Sequence, residues 1–275
     1  AHILAISGLH IGIIALVSLG LIRLALKRSE SLLLRFSLIK TAALLSLAPV
    51  FFYAFVAGMS IPTLRSVIMV LSFLIAVLLG RSRELLNALG LAAFLILLFS
   101  PASLFDASFQ LSFAAVFSII YLTPKLAERI PRPAPGETQG PRWRLWYQKV
   151  FLSLGVFLAV SLSATLGTAP LVAHYFNRIS LVSLPANLLA VPLLGFIVLT
   201  LGLTAMVVSL FSTAVASFLF QVASVFVRLS LELLDRMDGI PGSSVTVTTP
   251  GMAEITAFYL LLGVAAYWLS ARRPE

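Results

Sequence analysis

The 275-residue chain contains no cysteine, and its three histidines stand apart at positions 2, 10 and 174. Structural disulfides, thiolate metal ligands and a cysteine nucleophile are therefore excluded, and scattered imidazoles do not build a metal cluster. Charge is scarce as well. Only 11% of residues are charged and 60% are hydrophobic, with a mean hydropathy of +1.07, whereas soluble domains carry about a quarter charged residues. A soluble globule cannot cover its outside with so little polar sequence. Nor does the chain contain a GxxxxGK(S/T) phosphate loop, an HExxH pair or a GxSxG nucleophile elbow, so three common routes to catalysis have no local signature. No enzymatic activity, cofactor or metal is expected.

What fills the sequence instead is a succession of apolar runs separated by short polar turns. They lie near residues 9–26, 38–57, 63–79, 85–99, 107–123, 149–168, 181–208, 213–234 and 251–270. Their lengths suit helices crossing about 30 Å of hydrocarbon; the run at 85–99 is short and reads as a partial span. The expected fold is all-α, a polytopic membrane domain of about nine spans over 1–275 with broken or re-entrant helices among them. Pro185 and Pro192 predict a bend or break in the seventh segment, which hydrocarbon tolerates only where protein surrounds it. The opening AHILAISGLHIG has neither an initiator Met nor the basic start of a signal peptide, and it reads as the continuation of something longer.

Basic residues test this arrangement independently. With nine spans, all of the 19 Lys and Arg except Arg65, Arg178, Arg228 and Arg236 fall on one side. Positive charge marks the cytoplasmic face, which puts the amino end outside and the carboxyl end inside. The net charge of +9 follows from this bias without invoking nucleic acid. Residues 124–149 form the longest cytoplasmic connection. Within it, the Pro/Gly-rich stretch from Pro131 leads into Trp143, Arg144, Trp146 and Tyr147, the composition of an amphipathic piece at the headgroups. Contact with nucleic acid or a cytoplasmic motor is the second reading of that stretch.

Four polar clusters interrupt the apolar sequence. Ser7-Gly8-Leu9-His10 combines small residues, which let helices approach, with an interfacial imidazole; as a catalytic pair Ser7 and His10 lack an orienting acid nearby. Gly58-Met59-Ser60-Ile61-Pro62-Thr63-Leu64-Arg65 places Pro62 in a first helical turn, Ser60 at its cap and Arg65 one turn in. A guanidinium there faces protein, water or a polyanion, or else snorkels to headgroups. Asp106 is placed to cap the fifth span, with Gln110 on the same face and Ser108 and Ser112 beside it; Arg65 is its natural partner. Asn187, between Pro185 and Pro192, either ties a kink to a neighbouring helix or lines a passage, with Arg178 just outside.

These clusters resemble, in order, four blocks of the membrane core of the ComEC/Rec2 competence family: HILAISGLHIG, GMSIPTLRSVIM, SPASLFDASFQLSFAAV and SLVSLPANLLAVPLLG. The resemblance covers essentially the whole chain. It implies a bacterial inner-membrane channel that admits single-stranded DNA during natural transformation, with a DNA-receptor protein outside and a translocation ATPase in the cytoplasm as partners. It also implies that nucleic-acid-binding and nuclease domains known in the family lie elsewhere, so no nuclease activity is carried to these residues. Arg65, Asp106, Gln110, Asn187 and Arg178 are the candidates for the DNA path. Ser7, Gly8, His10, Gly58, Ser60, Ser108, Ser112 and Pro192 match the family blocks as packing or pore residues. A secondary transporter for a small anion and a structural assembly subunit are the competing readings.

Overall fold

Hydrocarbon offers no water to a peptide group, so an apolar run inside it must close its own hydrogen bonds as a helix. A computed structural model, which describes residues 8–28, 37–131 and 142–271, contains nine such helices among those residues. They are α1 (Gly8–Leu26), α2 (Leu38–Val56), α3 (Ile61–Leu78), α4 (Leu85–Phe99), α5 (Ala107–Ala127), α6 (Arg142–Phe176), α7 (Ser183–Val208), α8 (Thr213–Asp238) and α9 (Met252–Ala271). Seven of them are long and apolar enough to cross a membrane, and α1 and α4 are shorter apolar helices. Large apolar side chains such as Phe55, Phe94, Leu98, Phe218, Leu260 and Trp268 stand exposed on their flanks, the arrangement of a protein whose solvent is lipid. The chain is an essentially all-α integral membrane protein.

Sequence and structure differ in three places. The sixth helix begins at Arg142 and runs 35 residues, about 52 Å at 1.5 Å per residue. The segment expected to lie apart at the headgroups is thus its opening turns, in which Arg144, Trp146 and Tyr147 are exposed. The expected break in the seventh segment is instead a change of register, because α7 stays helical through both prolines and widens to a π-helix over Val191–Val198. Pro192 has no N–H to give and crowds the carbonyl four residues back, and the wider turn accommodates both. Finally, two three-residue strands, β1 (Arg178–Ser180) and β2 (Ser244–Thr246), pair antiparallel with Ile179 opposite Val245.

The helices sort into two compact units: residues 1–109 with 189–235, and 110–188 with 236–275. In the first, α1, α2 and α3 pack together around Ile11, Ile14, Val50, Tyr53, Ala54 and Val67, and α4 lies along α3. Buried hydroxyls are returned to their own helices: Ser46 donates to the Ala43 carbonyl at 2.8 Å and Ser66 to that of Pro62 at 2.9 Å. Ser72 Oγ, also buried, has no partner among the described residues.

The second unit rests on small residues and hydroxyls that cross between helices. Thr123 donates to Ser163 at 3.1 Å, and Tyr259 reaches the Gly167 carbonyl at 2.8 Å. At Gly167 α5 and α6 come close together: a Cβ there would overlap the Ser118 side chain and crowd the Ala114 carbonyl. Beyond the helix ends, Asn177 adopts a left-handed conformation (φ 54°), and its carbonyl accepts from Val247 N–H at 2.9 Å. His174 Nδ1 lies 3.0 Å from the Pro250 carbonyl. Together with the β1–β2 pairing, these contacts hold the connections after α6 and after α8 at one level, so α7 and α8 form an excursion that returns to where it began.

Gly167→Ala is expected to lower stability by about 1–3 kcal/mol through overpacking, seen as a lower thermal midpoint in detergent. Adding Ser118→Gly should restore part of the loss, whereas an unchanged midpoint in the single variant would contradict this close approach.

Candidate functional site at the start of α3 and α5

The chain must turn sharply to begin α3, and Gly58 (φ 77°) and Met59 (φ 46°) supply the left-handed backbone for it. Glycine suits such a position because it lacks the Cβ that makes positive φ costly. Ser60 occupies the cap position of α3, but its hydroxyl makes no cap bond to the backbone; it pairs with Thr63 Oγ1 at 2.8 Å. That is a correction to the expected capping role. Pro62 sits in the first turn, where its missing N–H costs nothing.

One turn further, Arg65 turns inward. Its side chain is only 5% exposed, and its Nη1 meets Asp106 Oδ2 at 3.0 Å. Its Nη2 donates to the Ser108 hydroxyl, which in turn donates to Asp106 Oδ2 at 3.0 Å. Cation, hydroxyl and carboxylate thus form a closed triangle. Asp106 also accepts the Ser108 N–H at 3.2 Å on Oδ1, so it caps α5 as its placement before that helix suggested. Arg65 Nε is buried without a partner among the described residues.

The triangle constrains topology. Arg65 lies one turn into α3 and Asp106 immediately before α5, so α3 and α4 must carry the chain away and back to the same level. At 15 residues, α4 covers about 22 Å, and the five-residue 3₁₀ turn Pro101–Phe105 adds about 10 Å. The short fourth segment, with that turn, is long enough to complete the return.

The pair is asymmetric. Arg65 is enclosed, whereas the Asp106 side chain is 44% exposed, just outside the α5 span. Partial burial pushes the Asp106 carboxyl up, but the N–H and hydroxyl of Ser108 and the Arg65 guanidinium outweigh it and hold the group below its ordinary value. A depressed carboxylate stabilises the fold above its unfolded pKa and loses that contribution as pH falls through the folded one.

The other candidates have separate surroundings. Gln110 Oε1 accepts from the Tyr175 hydroxyl at 2.9 Å, and Asn187 Nδ2 lies 3.4 Å from Ser161 Oγ. Arg178 is exposed in β1 opposite Thr246, and Pro192 lies in the π-helical stretch of α7. His10 and Ser112 are half-buried. Ser7 lies outside the described residues, and Gly8 and Trp143 are described by their backbone alone. Sequence reasoning gave no role to Thr63, though it lies in the Gly58–Arg65 cluster, and passed over Tyr175 and Ser161. The spacing of Ser60 and Thr63 was a usable signal for the first; the other two are partners across helices, for which a single sequence carries none.

A family model described as "Competence protein" matches residues 1–272. The chain is 28% identical over 275 residues to ComE operon protein 3 of Bacillus subtilis (strain 168), a match covering 98% of this chain and 31% of that protein. It is 33% identical over 206 residues to the uncharacterized protein YcaI of Escherichia coli (strain K12), covering 75% of this chain and 25% of the relative. To recombination protein 2 of Haemophilus influenzae (strain ATCC 51907 / DSM 11121 / KW20 / Rd) it is 25% identical over 279 residues, covering 100% and 32%. The chain therefore spans a third or less of the length of these relatives. No solved structure matches it significantly.

Asp106→Asn removes the carboxylate while keeping the size of the side chain, and leaves a buried guanidinium short of its counter-ion. It is expected to cost about 1–3 kcal/mol at neutral pH, with the gap to wild type closing as pH falls from about 4, the unfolded-state value, through the lower pKa of the folded carboxyl. Thermal unfolding in detergent across pH checks this, and a gap independent of pH would contradict the ion pair.

Proposed function

The chain belongs to the Competence protein family, and from that premise we propose that it is the membrane-crossing path by which single-stranded DNA enters a bacterial cell during natural transformation. Its place is the inner membrane. The basic bias of the connections supports an orientation with the amino end outside and the carboxyl end in the cytoplasm. In that orientation the Arg65–Asp106–Ser108 triangle stands on the outer side. Residues 124–149 are then the cytoplasmic connection, with Trp143, Arg144, Trp146 and Tyr147 at the headgroups.

One observation carries the reading to particular atoms. Among the described residues Arg65 is the one basic side chain that is buried; the others, including Arg228 within α8, are exposed or half-buried. A membrane protein retains so costly a group for a task. Arg65 supplies an always-charged, forked donor that pairs with phosphate oxygens whatever the base sequence. One such group at the mouth suits transit better than a strongly basic tunnel, which would hold a strand rather than pass it. Gln110, Asn187 and Arg178 are further candidates for contact with the strand, through neutral donors in the first two and an exposed guanidinium in the third.

No catalytic step is assigned to these residues. Driving force comes from outside the chain, which lacks a phosphate loop, and a cytoplasmic ATPase is the proposed partner, with a DNA-receptor protein on the outer side.

Arg65→Ala in the full-length protein is expected to reduce DNA uptake by a transformable host about tenfold or more, as for loss of a charged hydrogen-bonding group, with normal abundance in the membrane. Arg65→Lys, which keeps the charge but not the fork, should fall between. Uptake equal to wild type in the alanine variant would sink the assigned role.

A further inference from the structure

Asp106 is held by donors of the kinds that also bind mobile anions. The donors that hold it are a guanidinium, a hydroxyl and an N–H at the start of α5. Helix N-termini and arginine forks both hold phosphate oxygens well. The donor set is also incompletely used, since Arg65 Nε is buried and unpaired among the described residues. Burial is unequal in the sense an exchange requires: the cation is enclosed at 5% exposure, and the anion stands at the rim at 44%. Of the two partners, Asp106 is the one that can leave for water.

We propose that Arg65, Ser108 and the N-terminus of α5 form a site for one phosphate-type oxyanion, and that Asp106 is its resident counter-anion, displaced when a phosphodiester arrives. This rests on the reading of the chain as a DNA path. The exchange replaces one negative charge at Arg65 by another, so the guanidinium is never left bare. Each incoming phosphate must also break the existing pair, which subtracts from its net affinity. A strand is therefore engaged without being trapped. In its absence Asp106 ties the start of α5 to α3, an autoinhibitory contact at the mouth of the path.

The test is thermal unfolding of the full-length protein in a phosphate-free sugar detergent, in potassium chloride or potassium phosphate at matched ionic strength. Wild type, Asp106→Asn and the double variant Asp106→Asn with Arg65→Gln are compared. With the resident anion removed, phosphate should raise the Asp106→Asn midpoint by about 3 °C or more. Wild type and the double variant should move by less than about 1 °C. If Asp106→Asn does not fold, Asp106→Ser, which keeps a capping oxygen, takes its place. No phosphate-specific rise in the single variant, or an equal rise in all three proteins, overturns the site.

Oligothymidylate and phosphatidylglycerol, added separately, distinguish a strand from a lipid headgroup. An Arg65-dependent rise with the oligonucleotide is expected, and one with the lipid alone overturns the proposal. The DNA reading fails separately: a phosphate rise without DNA passage by wild type would keep an oxyanion site and discard the strand, whereas passage without the rise would do the reverse.

Discussion

A guanidinium cannot shed its charge, and hydrocarbon cannot solvate it. Enclosing Arg65 in a helical membrane body therefore obliges the chain to bring an anion and a hydroxyl to it. Asp106 and Ser108 do so from 41 and 43 residues away. That requirement brings the start of α5 to the start of α3 and makes α3 and α4 an out-and-back pair. Removal of either charge would leave the other short of its partner, which is why such pairs resist substitution more than their net stabilisation suggests.

The same constraint, the cost of leaving a polar group unsatisfied where water is absent, acts on most hydroxyls of the remaining helices, with Ser72 Oγ the exception among the described residues. Serine hydroxyls fold back onto carbonyls of their own helix, as Ser46 and Ser66 do, or bridge two helices, as Ser163 does with Thr123. Gly167 lets α5 approach α6 closely, and its carbonyl accepts from the Tyr259 hydroxyl of α9. Apolar contact between helices adds little in lipid, whose tails are equally apolar, so close packing and a few hydrogen bonds carry the association.

Much of this was legible in the sequence. Segments of uninterrupted hydropathy mark all nine helices because in lipid an apolar run has almost no alternative to a helix, and the boundaries of α2, α4 and α5 fall within a few residues of expectation. The pairing of Arg65 with Asp106 was legible for a related reason: few charges stand near the ends of spans, and these two have opposite sign and the same expected side. Less was legible where several solutions satisfy the backbone equally. Prolines at 185 and 192 signalled disruption but not its form, a widened helix rather than a break. The alternating Val-Thr-Val-Thr after Ser244 carried a strand signal, yet its partner at Arg178 is three residues long and 66 positions away. The Ser60 hydroxyl had two local options, and pairing with Thr63 displaced the expected cap.

The central claim is that this chain passes single-stranded DNA by way of Arg65. The most direct measurement is the entry of labelled single-stranded DNA into sealed proteoliposomes containing the full-length protein, under an inward driving force and beside an Arg65→Ala control. The account predicts nuclease-protected label inside wild-type vesicles and a clear deficit in the control at equal insertion. Equal protection in both would contradict it.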